Sequence, residues 1–396
     1  MTSLLTTSVS FVSNEHQPNV FARVGVVGAG QLARMMGQAA RDAGVSVTVL
    51  ATTREDSAVA TSDGVVLGEA TDTGALHELA GRVDVITFDH ELVDLDVLEA
   101  LEAEGVVLRP SSAALRFAVD KAFQRRTLFD AGVPVPRFLI VTSSHDENLE
   151  PFLSGLDAPP VVKASRGGYD GRGVAFPDSR ASALRDVDAM AECGPVVVEE
   201  RLDLVGEAAQ LVVRSVAGDL SFYPVVTSVQ HAGMCTEVRY PSDLDDATRA
   251  EAHELSGRVA QLVGGIGVLA IEYFVTAKGL LVNEVALRPH NTGHWTIEGT
   301  STSQFAQHLR AVSGQSLGEV APHYPFAVMV NVVGAEEPGS LEAAQRVAGT
   351  YVHDYGKSWR PGRKLGHVTA LGDEPTGPRV RAWESARAFG TVTREA

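Results

Sequence analysis

Residues 24–33 read VGVVGAGQLA, in which four residues typical of a buried strand run directly into a Gly-Ala-Gly turn. A helical pattern follows from Gln31 to about Ala43, and further strands are predicted over 45–50 and 83–88. Strands that alternate with helices are typical of a parallel, doubly wound sheet. The first part of the chain therefore predicts an α/β fold.

The turn after the first strand fits the G-x-G-x-x-G/A pattern through Gly28, Gly30 and Ala33, placed between a strand and a helix as dinucleotide binding requires. NAD would also need an acidic residue at the end of the second strand, which instead ends Ala-Thr-Thr at 51–53. A phosphate-bearing ligand over the helix N-terminus is a second interpretation, because the exposed N–H groups there attract anions. A tight turn without a ligand is the third.

The composition indicates an acidic globular protein of two or three domains. The 396 residues are 44% hydrophobic and 21% charged, with a net charge of −17. This balance argues against a nonspecific nucleic-acid binder, which needs a basic face. No apolar stretch approaches the length of about 18 residues that marks a membrane span. We expect residues 1–23 to form a mobile tail, because they lack the features of a signal peptide.

Cysteine usage limits the chemistry further. Only Cys193 and Cys235 are present. Two cysteines with this spacing cannot form a CxxC metal site or a disulfide framework. The low cysteine count fits a protein of the reducing cytoplasm.

A glycine-rich segment lies between two predicted strands in the middle of the chain. Residues 161–163 form the first strand, residues 165–173 read SRGGYDGRG, and Val174 restarts the sheet. The segment is longer than a simple hairpin turn. Its backbone N–H groups and two arginines suit an anion. We therefore predict a phosphate-binding loop, with a plain turn as the alternative.

Two carboxylates fall on adjacent strands of a predicted hairpin over 268–275 and 280–285. They are Glu272 and Glu284. Mg²⁺ prefers oxygen ligands and usually takes one or two carboxylates together with substrate phosphates. A shared Mg²⁺ site is one interpretation, and two solvent-facing acids are the other.

Zinc is disfavoured in the following loop, RPHNTGHWT over 288–296, because its Gly and Pro prevent a helix that would align the histidines.

Residues 357–367, KSWRPGRKLGH, place four cations and a histidine within 11 residues of an otherwise acidic chain. We predict an anion site for a substrate phosphate, with a solvated basic turn as the alternative. The chain has only five lysines against 28 arginines. Lysine should persist where a compact ammonium is needed. Four of the five lie in candidate sites: Lys121, Lys163, Lys357 and Lys364.

Several motifs together resemble those of the N5-carboxyaminoimidazole ribonucleotide synthetases, which are ATP-grasp ligases of purine biosynthesis. The motifs occur in the family's order: GAGQLARM from 28, DKAFQRRTLFDAGVPVP from 120, GGYDGRG from 167, FYP from 222, VNEVALRPHNTGHWT from 282 and RPGRKLGHV from 360. The family reaction converts ATP, bicarbonate and 5-aminoimidazole ribonucleotide to N5-carboxyaminoimidazole ribonucleotide, ADP and phosphate.

The resemblance implies an α/β protein of ATP-grasp architecture, with Mg²⁺ as cofactor beside ATP and a cytoplasmic homodimer as the assembly. A Rossmann-like parallel-sheet domain would span 24–119. An ATP-grasp domain with a central glycine-loop lid subdomain would span 120–313, and a C-terminal α+β part would span 314–396.

The resemblance also implies roles for individual residues. Lys121 and Lys163 would lie over the ATP phosphates, and Glu272 with Glu284 would hold Mg²⁺. The remaining nucleotide residues would be Gly168, Tyr169, Asp170, Gly171, Arg172, Gly173, Val174, Glu199, Glu200, Arg201, Leu202, Glu207, Gln230 and Asn283. The substrate residues would be Gly30, Gln31, Leu32, His290, Asn291, Lys357, Arg363 and Lys364. Catalysis would use Tyr169, Asp170, Arg172 and Arg288.

Three positions depart from the family pattern. Residues 88–93 read FDHELV where the family often has an FENV-like segment, Gln230 stands where histidine is common, and Leu287 replaces a usual proline. Three alternatives remain open. The first is another ATP-grasp ligase, such as a formate-dependent glycinamide ribonucleotide transformylase. The second is a nicotinamide-dependent oxidoreductase, which leaves the glycine-rich loop unexplained. The third is a nonenzymatic nucleotide-binding regulator.

Overall fold

The structure, a computed structural model, describes residues 20–167, 173–231 and 233–390. The first domain contains β1 (Arg23–Val27), α1 (Gln31–Ala39), β2 (Ser46–Ala51), β3 (Gly64–Leu67), α2 (Thr73–Ala80), β4 (Val85–Phe88), α3 (Leu95–Ala103) and α4 (Ser112–Val119). Its strands pair in parallel in the order β3-β2-β1-β4. This confirms the predicted α/β fold of the first domain.

Burial explains why the first domain forms this sheet. Val24, Val26 and Val27 of β1 are fully buried, as expected for a parallel strand that is covered on both faces. Helix α1 ends at Ala39, earlier than predicted, because residues 40–44 turn back towards β2. Gly44 ends this turn with φ of 64°, a backbone conformation that favours glycine.

The second unit is a smaller antiparallel sheet with flanking helices. Its elements are α5 (Lys121–Asp130), β5 (Phe138–Val141), α6 (Leu149–Ser154), β6 (Val161–Ala164), β7 (Val174–Ala175), α7 (Arg180–Ala191) and β8 (Val196–Glu199). The strand order is β5-β8-β6-β7, and β6 and β7 flank the glycine-rich loop. The predicted strands on both sides of that loop are therefore confirmed.

The remaining described strands form one large antiparallel sheet. Its elements are β9 (Gly206–Arg214), β10 (Leu220–Phe222), β11 (Val226–His231), β12 (Met234–Tyr240), α8 (Asp246–Val263), β13 (Gly267–Thr276), β14 (Gly279–Ala286), α9 (Thr296–Gly299), α10 (Gln304–Ser313), β15 (Phe326–Val333), α11 (Leu341–Gln345), β16 (Thr350–Asp354), β17 (Lys364–Gly372) and α12 (Thr376–Phe389). The order is β14-β13-β9-β11-β12-β15-β17-β16, with β10 beside β9. Because β12 pairs with β15, the sheet continues into the C-terminal part of the chain.

A buried histidine on α10 joins the first domain to this large sheet. The amide of Val268 donates to Nδ1 of His308 at 3.1 Å. Nε2 of His308 must then carry the proton, and it donates to Oγ1 of Thr87 on β4 at 2.8 Å. Both side chains are fully buried.

Across the described residues, no helix is long and apolar enough to cross a membrane.

Candidate functional site

The glycine-rich loop is fixed to the body of the protein at its first end. The Asp120 carboxylate accepts a hydrogen bond from the Ser165 hydroxyl at 2.6 Å and pairs with Arg166 at 2.9 Å. The amide of Lys121 donates to the carbonyl of Ser165 at 2.8 Å. Burial alone would raise the pKa of Asp120, but these hydrogen bonds outweigh it and lower the pKa. The start of α5 therefore anchors the loop.

The loop itself is only partly described. Gly168, Tyr169, Asp170, Gly171 and Arg172 lie outside the described residues, so their predicted roles stay predictions. Beyond the loop, the carbonyl of Gly173 accepts from the amide of Ala164 at 2.8 Å, and Val174 pairs with Lys163 across the hairpin.

Two cations share one buried carboxylate beneath the loop. Nζ of Lys163 lies 2.7 Å from Glu199, and Nε of Arg125 donates to the same carboxylate at 2.7 Å. The Glu199 side chain is only 3% exposed. Burial alone would raise the pKa of Glu199, but the charges of Arg125 and Lys163 outweigh it and lower the pKa. The arrangement fixes Lys163 beside Glu199 at the base of the loop.

A second group of charges lies on the β13–β14 hairpin, where Glu272 and Glu284 are directly opposite each other. Lys121 donates to Glu284 at 3.3 Å, and the charge of Lys121 lowers the pKa of Glu284. Burial and the adjacent Glu284 charge raise the pKa of Glu272. The structure therefore brings the two predicted Mg²⁺ ligands together, with Lys121 beside them. Asn283 joins the group, since its amide donates to Glu272 at 3.4 Å.

Further predicted nucleotide residues lie in the connection between the two antiparallel sheets and on the strands that follow it. Glu200 accepts from the amide of Arg137 at 2.8 Å, and Arg201 donates to the carbonyl of Pro177 at 3.0 Å. Leu202 is half-buried in the same connection. Burial raises the pKa of Glu207 at the start of β9 to about 7, and the nearby Lys163 charge opposes this shift. Gln230 donates to the Ser228 hydroxyl at 2.9 Å.

Beyond the carboxylates lies the loop that follows β14. Nε2 of His290 is 3.6 Å from Glu272, and Asn291 is the next residue of the loop. Arg288 lies 2.8 Å from Glu91, a residue of the altered segment 88–93. The charges of Arg288 and Lys364 both act to lower the pKa of Glu272, although burial dominates.

The predicted substrate residues from the two ends of the chain meet beside this loop. Nζ of Lys357 donates to Oε1 of Gln31 at 2.5 Å. Arg363 donates to the Ser358 hydroxyl at 2.7 Å. The basic segment 357–367 therefore approaches the N-terminus of α1, although 326 positions separate Lys357 from Gln31.

A carboxylate of the first domain occupies the N-terminus of α1. Asp89 accepts from the amides of Gly30 at 2.5 Å and Ala33 at 3.1 Å, and it is 6% exposed. Helix N-termini attract anions, and here a side chain supplies the anion. The Leu32 side chain packs in the core. The donors required by a dinucleotide are thus engaged internally, which argues against the oxidoreductase alternative.

Comparison with known proteins accounts for this geometry. Residues 21–119 match the ribonucleotide synthetase preATP-grasp domain, 126–305 the ATP-grasp domain, and 327–377 the phosphoribosylaminoimidazole carboxylase C-terminal domain. The N5-carboxyaminoimidazole ribonucleotide synthase of Mycobacterium tuberculosis is 45% identical over 362 residues, which are 89% of this chain and 84% of the relative. The chain belongs to the N5-carboxyaminoimidazole ribonucleotide synthetase family.

Solved structures of this family share the whole fold. The synthetase of Thermus thermophilus aligns with a TM-score of 0.85 at 33% identity, over 94% of this chain and 100% of that one. The synthase of Aspergillus clavatus, in complex with ADP and 5-aminoimidazole ribonucleotide, aligns with a TM-score of 0.84 at 28% identity, over 93% and 98%. The predicted ATP-grasp architecture and the predicted enzyme family are both confirmed.

The sequence analysis missed several residues that organise the candidate site. Arg125 lies inside the motif from 120, yet its pairing with Glu199 has no local sequence pattern. Asp89 and Glu91 lie in the segment that departs from the family pattern, and the structure shows that both make defined contacts.

A separate cavity of about 300 Å³ lies between α1 and α10. Its described lining includes Gln38 and none of the predicted site residues.

Proposed function

We propose that this chain joins bicarbonate to the amine of 5-aminoimidazole ribonucleotide in an ATP-dependent reaction that yields N5-carboxyaminoimidazole ribonucleotide, ADP and phosphate. One observation carries the proposal. A continuous group of charged residues runs from Lys163 and Lys121, through Glu284 and Glu272, to His290. This group suits a triphosphate, and the Lys357–Gln31 contact suits a second substrate.

The two lysines would neutralise the phosphates of ATP. Each lysine is paired with a carboxylate, Lys163 with Glu199 and Lys121 with Glu284. Phosphoryl transfer depends mainly on such positioning and charge neutralisation. The nucleotide would replace part of the pairing of Lys121 with Glu284, which is the more exposed of the two carboxylates.

The opposed carboxylates fit a divalent cation. Glu272 is partly buried beside a second carboxylate, and a hard cation between them would relieve this repulsion. Glu272 and Glu284 would hold Mg²⁺, which would supply positive charge to neutralise the charge that develops on the phosphates. Within the described ranges, no group of three or more His, Cys, Asp and Glu residues forms a metal cage.

In the proposed reaction, a bicarbonate oxygen attacks the γ-phosphorus and ADP leaves, which forms carboxyphosphate. Cleavage of its C–O bond releases CO2 and phosphate. The amine of the ribonucleotide then attacks the carbon of CO2 and loses a proton. Arg288, His290 and Asn291 would surround the carboxylate being transferred. The glycine-rich loop would exclude water, since water would hydrolyse the intermediate. Lys357 and Arg363 would hold the phosphate of the ribonucleotide.

We infer that the enzyme acts as a homodimer in the cytoplasm, as the family resemblance implies. Light scattering on the purified chain tests the assembly directly. A single species of twice the mass of 41.9 kDa is expected, and a monomer would contradict the inference.

The decisive experiment measures ADP release by the purified enzyme. Release is expected with ATP, Mg²⁺, bicarbonate and 5-aminoimidazole ribonucleotide together. Formate with glycinamide ribonucleotide should give none, and NAD(H) should show no turnover. Detection of the carboxylated product completes the test. ADP release that depends on formate, or none under any of these conditions, would refute the proposed function.

A further inference from the structure

We propose that Gln304, the first residue of α10, is a positioning residue that holds His290 and Asn291 in place for the second half-reaction. The proposal rests on the proposed function, because it concerns the substrate site of that reaction. Gln304 lies 14 positions from His290 and is fully buried. It does not belong to any of the motifs on which the family resemblance depends.

The Gln304 side chain forms two hydrogen bonds with the backbone of His290. Its Oε1 accepts from the amide of His290 at 2.8 Å, and its Nε2 donates to the carbonyl of the same residue at 2.7 Å. Nε2 also lies 3.1 Å from Nδ1 of the buried His294. One amide group therefore fixes the loop at two residues, in the manner of a neighbouring β-strand.

The backbone held in this way carries the His290 ring towards Glu272. Nδ1 of His290 is engaged by the Thr292 hydroxyl at 2.9 Å, so Nε2 is directed at Glu272, 3.6 Å away. The loop fits tightly against the glutamine, because a Cβ on Gly293 would lie 2.5 Å from Oε1 of Gln304. Thr296 fixes the start of the helix in turn, since its hydroxyl donates to the carbonyl of Gly293 at 2.6 Å and accepts from the backbone N–H of Gln304 at 2.9 Å.

The same helix provides a matched control. Gln307 is also fully buried, and its side chain forms the same pair of hydrogen bonds with the backbone of Gly318. Its Nε2 donates to the Gly318 carbonyl at 2.7 Å, and its Oε1 accepts from the Gly318 amide at 2.8 Å. Gly318 lies in the loop between α10 and β15, and none of the predicted site residues is in that loop. Loss of either glutamine should therefore cost similar stability, whereas only Gln304 should affect turnover.

The experiment compares Gln304→Met with Gln307→Met, because methionine keeps the shape of glutamine without its hydrogen bonds. For Gln304→Met, kcat/KM for 5-aminoimidazole ribonucleotide should fall about 10- to 100-fold, as expected for a displaced positioning group. The KM for ATP should change less than about threefold, because Lys121 and Lys163 are untouched. Bicarbonate-dependent ADP release should become less coupled to product. Gln307→Met should show none of these kinetic effects at a comparable fall in melting temperature.

A second variant covers the case in which Gln304→Met does not fold. Gly293→Ala disturbs the same contact from the loop side, because the added Cβ would lie 2.5 Å from Oε1 of Gln304. It should give the same selective loss of activity towards the ribonucleotide. If the Gln304 and Gln307 variants have indistinguishable kinetics in an active enzyme, the inference is wrong. It is also wrong if Gly293→Ala or Gln304→Met impairs ATP and the ribonucleotide equally. A wild-type protein without bicarbonate-dependent activity would instead overturn the proposed function, and this inference with it.

Discussion

Replacement of His308 by Gln should remove part of the acid sensitivity of the fold. Burial lowers the pKa of His308 to about 3, and its two ring nitrogens are engaged by Val268 and Thr87. The unfolded chain would titrate near the ordinary value of about 6.5. Between these two values the unfolded state binds the proton and the folded state does not. Stability is therefore complete above pH 6.5 and is lost as the pH falls below it.

The size of the effect follows from the two pKa values. Protonation of the unfolded state should cost the wild type about 1.4 kcal/mol on going from pH 7.5 to pH 5.5, and about 2.7 kcal/mol by pH 4.5. Glutamine does not titrate, so His308→Gln should lack this component even though it is less stable at pH 7.5. Buried His294 and His367 titrate in both proteins, so their contributions cancel in the difference.

Urea unfolding at pH 7.5, 6.5, 5.5 and 4.5 measures this difference. The stability advantage of the wild type over His308→Gln should shrink by about 1.4 kcal/mol between the first and third of these pH values. Thr87→Val is the control, because it removes the hydroxyl partner and leaves the histidine buried. That variant should retain the pH dependence of the wild type. Parallel profiles for wild type and His308→Gln would refute the reasoning.

Three further predictions concern the site. Lys163→Ala and Lys121→Ala should each weaken ATP binding or turnover by about 1.5–3 kcal/mol, which is the value of one charge-assisted contact. A variant whose ATP titration matches that of the wild type would show that its lysine does not belong to the site. Glu284→Gln should impair Mg²⁺-dependent turnover more than nucleotide affinity explains, and an unchanged Mg²⁺ titration would count against a metal-ligand role. Arg363→Ala and Lys357→Ala should raise the KM for the ribonucleotide about 10- to 150-fold with ATP affinity nearly intact. Arg363→Lys should recover part of the loss, and a defect confined to the ATP titration would move this cluster to the nucleotide site.

Local sequence patterns were sufficient for much of the fold. The strands on either side of the glycine-rich loop, and the hairpin that places Glu272 opposite Glu284, depend on neighbours within about 20 residues. Alternating apolar residues and turn-forming glycines encode such elements directly. Helix α1 was predicted too long, because helix ends depend on how the chain must return to the sheet.

Long-range contacts could not be predicted from local patterns. Lys357 and Gln31 are brought together by the tertiary fold, and only the resemblance to a family placed both in one site. The pairing of Arg125 with Glu199, and the capping of α1 by Asp89, join residues that no periodicity connects. The segment 88–93 was interpreted as a departure from the family pattern. In the structure, its carboxylates make contacts that are defined by partners elsewhere in the chain.

The pairing of β12 with β15 means that the nucleotide-binding half of this enzyme is not a separable module. A fragment that stops after α10 would expose one edge of β12 over residues 237–240, with the N–H and C=O groups on that side unpaired and Val238 uncovered. Such an edge recruits other chains, so we expect the fragment to aggregate when it is expressed without residues 326–372. Supplying that segment as a separate polypeptide should restore solubility by strand addition. Genetic fission of this protein between α10 and β15 would therefore require that both parts of the sheet are supplied together.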